Sequence, residues 1–451
     1  MIPDVIPNNM PTDGSLQKVN PEKLRKVVRA SFAGTVVEWF DFAIYGYMAT
    51  HIAAAFFASR DPLVGLLETF AVFAVAFALR PLGGIFFGRL GDRIGRKRIL
   101  VVTVLLMSAS TAAIGLIPTH ETIGIWSAVL LVIARCLQGF SAGGEYAGAT
   151  IYVVEHSPDN QRARYSCAMS AATFSSFALA AGLGALLSSI LPPIAMGDWG
   201  WRVLFLISVP MGLIAFYIRS KLDESPEFSA MLAESATRPS PSLSSVLRTQ
   251  WSPMLRLGGF VMLTAVSFYI YSTYMSSFLT GVVGLPQQLA LFSSLLSLIF
   301  ATMLAPVMGR ISDRIGRRRT MQIAAASLAV LTIPSYLLAG QGIFATALAS
   351  QMLIGLGAVT ANVVTSVLMS EMFSTDMRST ASGICYNVTY AVFGGTAPFV
   401  ATWLIATTGN AISPAIYVAS VAVLAFLVAT FLMPETAGRP LRRYYDEPAI
   451  T

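Results

Sequence analysis

The chain has 451 residues, of which 55% are hydrophobic and only 12% are charged, and its formal net charge is +7. The charged share is about half of that in a soluble globular domain, and the mean hydropathy is +0.67. This composition excludes an ordinary soluble protein and predicts a membrane protein. The positive charge does not indicate a nucleic-acid partner, because the basic residues lie in short loops between apolar runs, as expected beside an anionic leaflet.

Apolar runs long enough to cross a bilayer, ~20 residues each, recur along the chain. They are too long and too uniformly apolar for the alternating strands of a membrane barrel. We therefore predict an all-α membrane protein in which both termini lie on the same side. Twelve runs can be distinguished, beginning near Ala30, Leu66, Ile99, Ile123, Ala163, Val203, Leu257, Gln287, Met321, Gly342, Ser379 and Ile412.

The basic residues are concentrated on one side of these predicted spans. Two loops hold the largest clusters, Arg89, Arg93, Arg96, Lys97 and Arg98 after the second run and Arg310, Arg314, Arg317, Arg318 and Arg319 after the eighth. Cytoplasmic loops of membrane proteins carry an excess of Lys and Arg. Both termini are therefore predicted to be cytoplasmic, in a multi-pass protein of the inner (plasma) membrane.

The longest polar stretch between spans divides the chain into two halves. It contains Arg238-Pro239-Ser240-Pro241, a sequence typical of a loop. The predicted order is a cytoplasmic N-terminal segment (1–28), a six-helix bundle (29–222), a cytoplasmic linker (223–255), a second six-helix bundle (256–433) and a cytoplasmic tail (434–451).

One loop motif occurs once in each half. The eleven residues from Gly88 read GRLGDRIGRKR, and the eleven from Gly309 read GRISDRIGRRR. Glu155 and Arg162 in the first half are weakly echoed by Glu371 and Arg378 in the second. Such a repeat predicts two bundles related by an axis along the membrane normal, with the substrate between them. The residues assigned to a cytoplasmic gate motif are Gly88, Asp92, Arg93, Gly95 and Arg96, with Asp313, Arg314, Gly316 and Arg317.

This doubled motif resembles the signature of the major facilitator superfamily. Three further segments resemble its metabolite:proton symporter family, namely Glu38-Trp39-Phe40-Asp41-Phe42, Gly143-Gly144-Glu145-Tyr146 and Asp198-Trp199-Gly200-Trp201-Arg202. That family includes proline/betaine, α-ketoglutarate, citrate and shikimate transporters. The amino-acid sequence around Gly143–Pro158 is most similar to the proline/betaine members. The resemblance implies that helices 1, 4, 7 and 10 line a central cavity.

Ionisable residues inside predicted spans are candidates for function because they are costly there. Glu38 and Asp41 share one helix face, and a carboxyl group away from water favours its protonated form. We predict proton coupling at Asp41, Glu38 or Glu145; the alternative is a structural ion pair. Arg135, at a similar depth, suits a substrate carboxylate, or else forms a permanent tether to Asp41. Arg80 is interpreted as structural, either reaching the cytoplasmic side or pairing with Glu145.

The other predicted substrate-binding residues are aromatic or amide side chains at depth: Tyr45, Tyr271, Tyr274, Asn387 and Tyr390. Aromatic rings could form a cage for a quaternary ammonium group. The alternative is that they are packing residues or interface anchors.

Together these features predict a proton-coupled symporter that imports a small carboxylate-bearing or zwitterionic metabolite, with a proline/betaine-like substrate favoured. A di- or tricarboxylate or shikimate symporter is the alternative, and an exporter, antiporter or transceptor a remote one. Nucleotide-binding, zinc and nucleophile motifs are not found, so we expect no enzyme activity, cofactor or metal. The predicted partners are the small-molecule substrate, protons and the lipid bilayer, with the chain acting as a monomer.

Overall fold

The computed structural model describes residues 21–59, 61–94, 96–143, 145–221, 243–375, 377–439 and 441. This part of the chain is helical and contains no strand. Ten helical segments within it are long and apolar enough to cross a membrane, and Val101–Leu116 is a shorter apolar helix. The predicted all-α fold is therefore confirmed for the described residues.

The first half consists of long helices, several of which are interrupted by short breaks. A π-helical turn, Met196–Gly200, joins two of its pieces. The helices are α1 (Pro21–Tyr47), α2 (Ala49–Phe56), α3 (Pro62–Ala78), α4 (Arg80–Ile94), α5 (Arg96–Leu116), α6 (His120–Ile123), α7 (Trp126–Ser141), α8 (Glu145–Glu155), α9 (Arg162–Ile190), α10 (Pro193–Ala195), α11 (Trp201–Leu206) and α12 (Ser208–Lys221).

The second half repeats this pattern. Two π-helical turns, Ile270–Tyr274 and Tyr390–Gly394, each join two α-helical pieces. The helices are α13 (Leu243–Tyr269), α14 (Met275–Gly281), α15 (Gln287–Ile315), α16 (Arg317–Ala339), α17 (Phe344–Glu371), α18 (Arg378–Thr389), α19 (Ala397–Thr408) and α20 (Ser413–Phe431).

Three helical segments begin well before the apolar runs that predicted them. Helix α1 begins at Pro21 rather than near Ala30, the sixth segment begins at Pro193 rather than near Val203, and α13 begins at Leu243 rather than near Leu257. Residues 243–255 of the predicted linker are consequently helical. Hydropathy locates only the apolar part of a helix, whereas a helix continues for as long as its polar end can pack or face water.

Within the first half, helices approach each other backbone to backbone. A Cβ atom added to Gly83 would overlap the carbonyl oxygen of Phe140, and one added to Gly139 would overlap that of Ala76. Glycine allows this approach because it has no side chain. The α3–α4 segment and α7 are therefore held in one fixed register.

The halves meet along several helix pairs. Helix α9 packs along α15, α3 packs against α19, and α1 contacts the π-helical turn Ile270–Tyr274. Helices α8, α15 and α17 end, and α9, α16 and α18 begin, on one face of the molecule, which we call the basic face. In the first copy of the repeated motif, Gly95, the surroundings of Gly88 and the side chains of Asp92, Arg93 and Arg96 lie outside the described part of the structure.

Candidate functional site

Four charged side chains of the first half are buried at the centre of the molecule. Glu38 and Asp41 on α1 are 2% and 1% exposed, Arg80 at the start of α4 is 1% exposed, and Arg135 on α7 is fully buried. Glu38 and Asp41 lie on one face of α1 because they are three residues apart. The centre therefore contains two acids and two arginines.

Asp41 and Arg135 belong to a small polar group, the coupling cluster, completed by Gln138 and Thr111. The amide nitrogen of Gln138 donates to the Thr111 hydroxyl at 2.8 Å and to the backbone carbonyl of Asp41 at 3.3 Å. Arg135 donates to the amide oxygen of Gln138. Both carboxylate oxygens of Asp41 lack a hydrogen-bond partner among the described residues. Arg135 is thus near Asp41 but is bound to Gln138 instead.

Aromatic rings hold Arg135 in this position. Its guanidinium carbon lies 4.0 Å from the ring centroid of Tyr45 and 5.1 Å from that of Phe73. The Tyr45 hydroxyl donates to the carbonyl of Thr69 at 2.9 Å, which fixes the ring. The rings that contact Arg135 thus all come from the first half.

Arg80 lies next to Glu38 among a second group of aromatic rings, which we call the aromatic seat. One terminal nitrogen of Arg80 is 3.8 Å from a Glu38 carboxylate oxygen. The guanidinium carbon lies 5.4, 4.8 and 4.9 Å from the ring centroids of Trp39, Phe42 and Phe77. This arrangement differs from the predicted alternatives for Arg80, since the partner is Glu38 and the side chain is fully inside the protein.

Three stacked rings connect the halves beside Arg80, and we call them the tyrosine column. Tyr146 of α8 stacks on Tyr386 of α18 with a centroid distance of 5.2 Å and an interplanar angle of 22°. Tyr386 stacks in turn on Tyr390 at 4.1 Å. Asn387, next along α18, donates its side-chain amide to the carbonyl of Gly143 in the first half at 2.6 Å. The predicted residues Asn387 and Tyr390 therefore lie at the junction of the two halves.

Tyr271 and Tyr274 are placed differently from these residues. The Tyr271 hydroxyl donates to the carbonyl of Ser297 on α15 at 2.7 Å. Tyr274 packs against Phe70 and Phe278, with centroid distances of 6.1 and 6.3 Å. Both rings are buried. They lie on the π-helical turn Ile270–Tyr274 and pack against neighbouring helices rather than against Arg80 or Arg135. The side chain of Glu145 lies outside the described residues.

The basic face is closed by ion pairs that cross between the halves. Arg378 of the second half binds Glu155 of the first at 2.7 Å, and Arg162 of the first lies 3.7 Å from Glu371 of the second. Glu371 also binds Arg317 at 3.0 Å within its own half. The weak sequence echo between these residues therefore corresponds to a pair of crossed contacts.

The second copy of the repeated motif caps helices on this face. Asp313 accepts hydrogen bonds from the backbone nitrogens of Ala163 and Arg164, at 3.1 and 2.8 Å, at the start of α9 in the other half. Gly316 has a φ of +92°, which favours glycine. Arg317 binds Asp313 at 2.9 Å, whereas Arg314 is exposed. A carboxylate at a helix N-terminus is stabilised by the helix dipole.

The opposite face is also closed. A Cβ atom added to Gly46 would overlap the methyl group of Thr273 in the other half. The Ser277 hydroxyl donates to the carbonyl of Gly46 at 3.4 Å, and Gln287 contacts His51 at the same distance. The four central charges are thus sealed from both faces.

The sequence did not identify several members of the site. Gln138 and Thr111 were not singled out, nor was Tyr386 assigned to the site. A usable signal existed for Gln138, which lies three residues after Arg135 and so shares its helix face. Among the described residues, no group of three or more His, Cys, Asp or Glu side chains could hold a metal ion.

The family model of the Major Facilitator Superfamily matches residues 31–388 and 294–444. The chain belongs to the major facilitator superfamily. Among its relatives in this superfamily is the proline/betaine transporter of Escherichia coli (strain K12), 38% identical over 435 residues that cover 94% of this chain and 86% of the relative. The glycine betaine/proline/ectoine/pipecolic acid transporter OusA of Dickeya dadantii (strain 3937) is 36% identical with the same coverage. Superfamily transporters are not enzymes.

Solved structures of major facilitator proteins have the same fold. The proton:xylose symporter XylE bound to 6-bromo-6-deoxy-D-glucose matches with a TM-score of 0.74 at 18% identity, covering 94% of this chain and 98% of that one. XylE from E. coli in a partially occluded inward open conformation also gives 0.74, at 17% identity, covering 93% of this chain and 100% of that one. At this identity the likeness concerns the fold alone.

Proposed function

We propose that this major facilitator protein is a proton-coupled symporter that imports a small zwitterion of the proline/betaine type by alternating access. The relatives' names support the substrate class, since glycine betaine, proline, ectoine and pipecolic acid each combine a carboxylate with a cationic nitrogen. The proton coupling rests on the coupling cluster, and above all on the unpartnered carboxylate of Asp41.

The proposed topology has twelve spans. Ten segments meet the length and hydropathy required, and α1 with α2 and α5 would supply the other two. We place the basic face, with its many exposed arginines, in the cytoplasm, and both termini with it. The two bundles, 29–222 and 256–433, would rock against each other about the buried charges in the inner membrane.

Asp41 is the observation that carries the coupling. A carboxylate that is 1% exposed and accepts no hydrogen bond of good geometry is in an unfavourable place for a negative charge, even with Thr111 and Arg135 as neighbours. Such a group is most stable when it carries a proton. Arg135, bound to Gln138, is in the position expected when Asp41 is neutral.

The charges of the four central side chains imply that the proton binds before the substrate. With both acids ionised, Glu38 and Asp41 balance Arg80 and Arg135. A proton on Asp41 leaves one positive charge in excess, which attracts a substrate carboxylate. In the loaded centre the substrate carboxylate meets the excess arginine charge, and the cationic nitrogen of the zwitterion is left to the aromatic rings. A carboxylate paired with an arginine is buried at lower cost than an unpaired one.

The number of cations at the centre also favours a zwitterion over a dicarboxylate. The buried arginines of the described second half, Arg317 and Arg378, belong to the basic face. A second carboxylate would therefore find no additional cation at the centre. The cationic nitrogen of a zwitterion can lie against the aromatic rings instead.

The test is uptake into proteoliposomes of labelled proline, glycine betaine, α-ketoglutarate, citrate and shikimate, with and without an inward proton gradient. We expect proline or glycine betaine to accumulate only with the gradient. Asp41→Asn is expected to abolish gradient-driven accumulation while still exchanging substrate across the membrane. The matched control is Asp61→Asn, because Asp61 is an exposed cap of α3 and asparagine also caps helices.

Three results would count against the proposal. Accumulation of α-ketoglutarate or citrate would overturn the zwitterion assignment. Accumulation of proline or betaine that is independent of the proton gradient, or that persists unchanged in Asp41→Asn, would overturn the coupling assignment.

A further inference from the structure

We infer that the substrate carboxylate binds Arg80, and that its ammonium group lies between the rings of Tyr146 and Tyr386, where the two rings now stack on each other. This inference rests on the proposed function and assigns the two ends of the substrate within the same central site.

Arg80 has unused hydrogen-bond donors. It is 1% exposed, and its Nε and Nη1 atoms make no hydrogen bond among the described residues. The indole nitrogen of Trp39 and the hydroxyl of Tyr269 are buried nearby and are likewise without a partner of good geometry. Buried donors without partners are costly and uncommon in native proteins. A bound carboxylate would satisfy several of them at once.

The aromatic seat of Arg80 leaves these donors available. Trp39, Phe42 and Phe77 contact the guanidinium group at centroid distances of 4.8 to 5.4 Å. Rings that stack on a guanidinium group cover its faces, while its N–H groups point outward in the guanidinium plane. The seat therefore orients Arg80 without using its hydrogen-bonding capacity.

Arg80 is a better anchor than Arg135 because it lies at the junction of the two halves. Tyr269 of the second half lies near both arginines and packs edge-on against Phe77 at 5.1 Å, whereas Tyr386 and Tyr390 of the second half lie near Arg80. Arg135 is already bound to Gln138. A substrate that drives alternating access must be held by both halves, which fits the surroundings of Arg80.

The tyrosine column supplies the other end of the site. Tyr146 and Tyr386 belong to different halves, so their stack at 5.2 Å must break when the halves separate. A cation can lie within about 6 Å of each ring centroid, so an ammonium group between the rings would hold them about twice as far apart as they are now. The closed stack and the bound ammonium group therefore exclude each other. The empty carrier closes ring on ring, and the loaded carrier closes with the ammonium group between the rings.

The test is equilibrium binding to the purified full-length chain in nanodiscs, which needs no proton gradient. Three probes compete with labelled glycine betaine: unlabelled glycine betaine, choline and 3,3-dimethylbutyrate. Choline keeps the trimethylammonium group but has no carboxylate, whereas 3,3-dimethylbutyrate keeps the shape and the carboxylate but has no positive charge. On the unaltered chain, choline should bind about 10- to 150-fold more weakly than betaine, and 3,3-dimethylbutyrate about 2- to 30-fold more weakly.

Each of two variants should remove one of these binding preferences. Arg80→Gln should remove the preference for betaine over choline, and Tyr386→Leu should remove the preference for betaine over 3,3-dimethylbutyrate. Tyr386→Phe keeps the ring and should retain the unaltered pattern. A general loss of folding would weaken every probe equally, so it cannot imitate a selective loss of one preference.

Several outcomes would overturn the inference. Choline binding as tightly as betaine to the unaltered chain would remove the carboxylate anchor altogether. An unchanged preference for betaine over choline in Arg80→Gln would overturn the assignment of Arg80 as the anchor. Equal behaviour of Tyr386→Leu and Tyr386→Phe would exclude the ring sandwich. Selective betaine binding without gradient-driven uptake would instead contradict only the proposed coupling.

Discussion

The crossed contacts on the basic face predict that the hydrogen-bonded ion pair holds the halves together more strongly than the longer contact. In the Glu155–Arg378 pair the side chains are 2.7 Å apart, and Arg378 is 1% exposed although Glu155 is 37% exposed. The Glu371–Arg162 contact is longer, at 3.7 Å, and Arg162 also binds Asp159 and the backbone carbonyl of Arg439. We compare Glu155→Gln with Glu371→Gln.

The expected magnitudes follow from these partners. In Glu155→Gln, the closed state retains a buried Arg378 that has lost the charge of its hydrogen-bonded partner. This costs about 1.5–3 kcal/mol, or about 10- to 150-fold in an equilibrium, and the partial exposure of Glu155 places the cost at the lower end of this range. In Glu371→Gln, Arg162 loses a contact at 3.7 Å but keeps Asp159 and the carbonyl of Arg439, so the cost is about 0.2–1 kcal/mol, which is less than about a sixfold change. The Arg317–Glu371 pair lies within one half, so its loss affects the open and closed states alike. Glu155→Gln should therefore favour opening of the basic face more than Glu371→Gln.

Cys167 is a native reporter of this opening. It is 3% exposed and packs against Gly309 of the other half. In a Cys136→Ser/Cys385→Ser background, the rate of maleimide labelling at Cys167 should follow the open fraction when reclosing is fast. Glu435→Gln is the matched control, because Glu435 caps α16 within one half. Equal acceleration by Glu155→Gln and Glu371→Gln, or a larger effect of Glu371→Gln, would refute the reasoning.

Two glycine positions give further predictions. Gly83→Ala should prevent stable folding, because the new Cβ would overlap the backbone carbonyl of Phe140. Fluorescence-detected size exclusion during heating would show a loss of monodisperse protein. Gly148→Ala should behave as the unaltered chain, because no atom lies within 4 Å of its Cβ. Gly46→Ala should prevent closure of the face opposite the basic face and stop uptake, because its Cβ would overlap the methyl group of Thr273. Thr273→Ser removes that methyl group, so failure of the double variant to recover uptake would contradict this explanation.

Much of the fold could be predicted from hydropathy and from the repeat. The start of α15 at Gln287 was predicted correctly, and the runs near Ala163 and Ser379 begin one residue after α9 and α18. The start of α13 could not be predicted, because residues 243–255 are too polar to resemble a span. The number of spans and their orientation remain proposals based on these runs and on the position of the arginines.

A residue of the candidate site could be predicted only where its charge would be energetically costly inside a predicted span. Glu38, Asp41 and Arg135 were named because charge is expensive inside a bilayer, and the structure buries all three together. Gln138 was missed because an amide within a span is common and becomes informative only once its partners are known. The stack of Tyr146 on Tyr386 was missed because it joins residues 240 positions apart.

The two halves carry duplicated ion pairs at the basic face but unequal chemistry at the centre. The acids and arginines described there, Glu38, Asp41, Arg80 and Arg135, all belong to the first half, whereas the second half contributes Tyr269 and Tyr386. For directed evolution, this asymmetry allows the residues that the two halves contribute to the centre to be varied separately. A library confined to the facing surfaces of α13 and α18 would vary which solute fits, while the residues proposed to couple transport to the proton gradient stay unchanged.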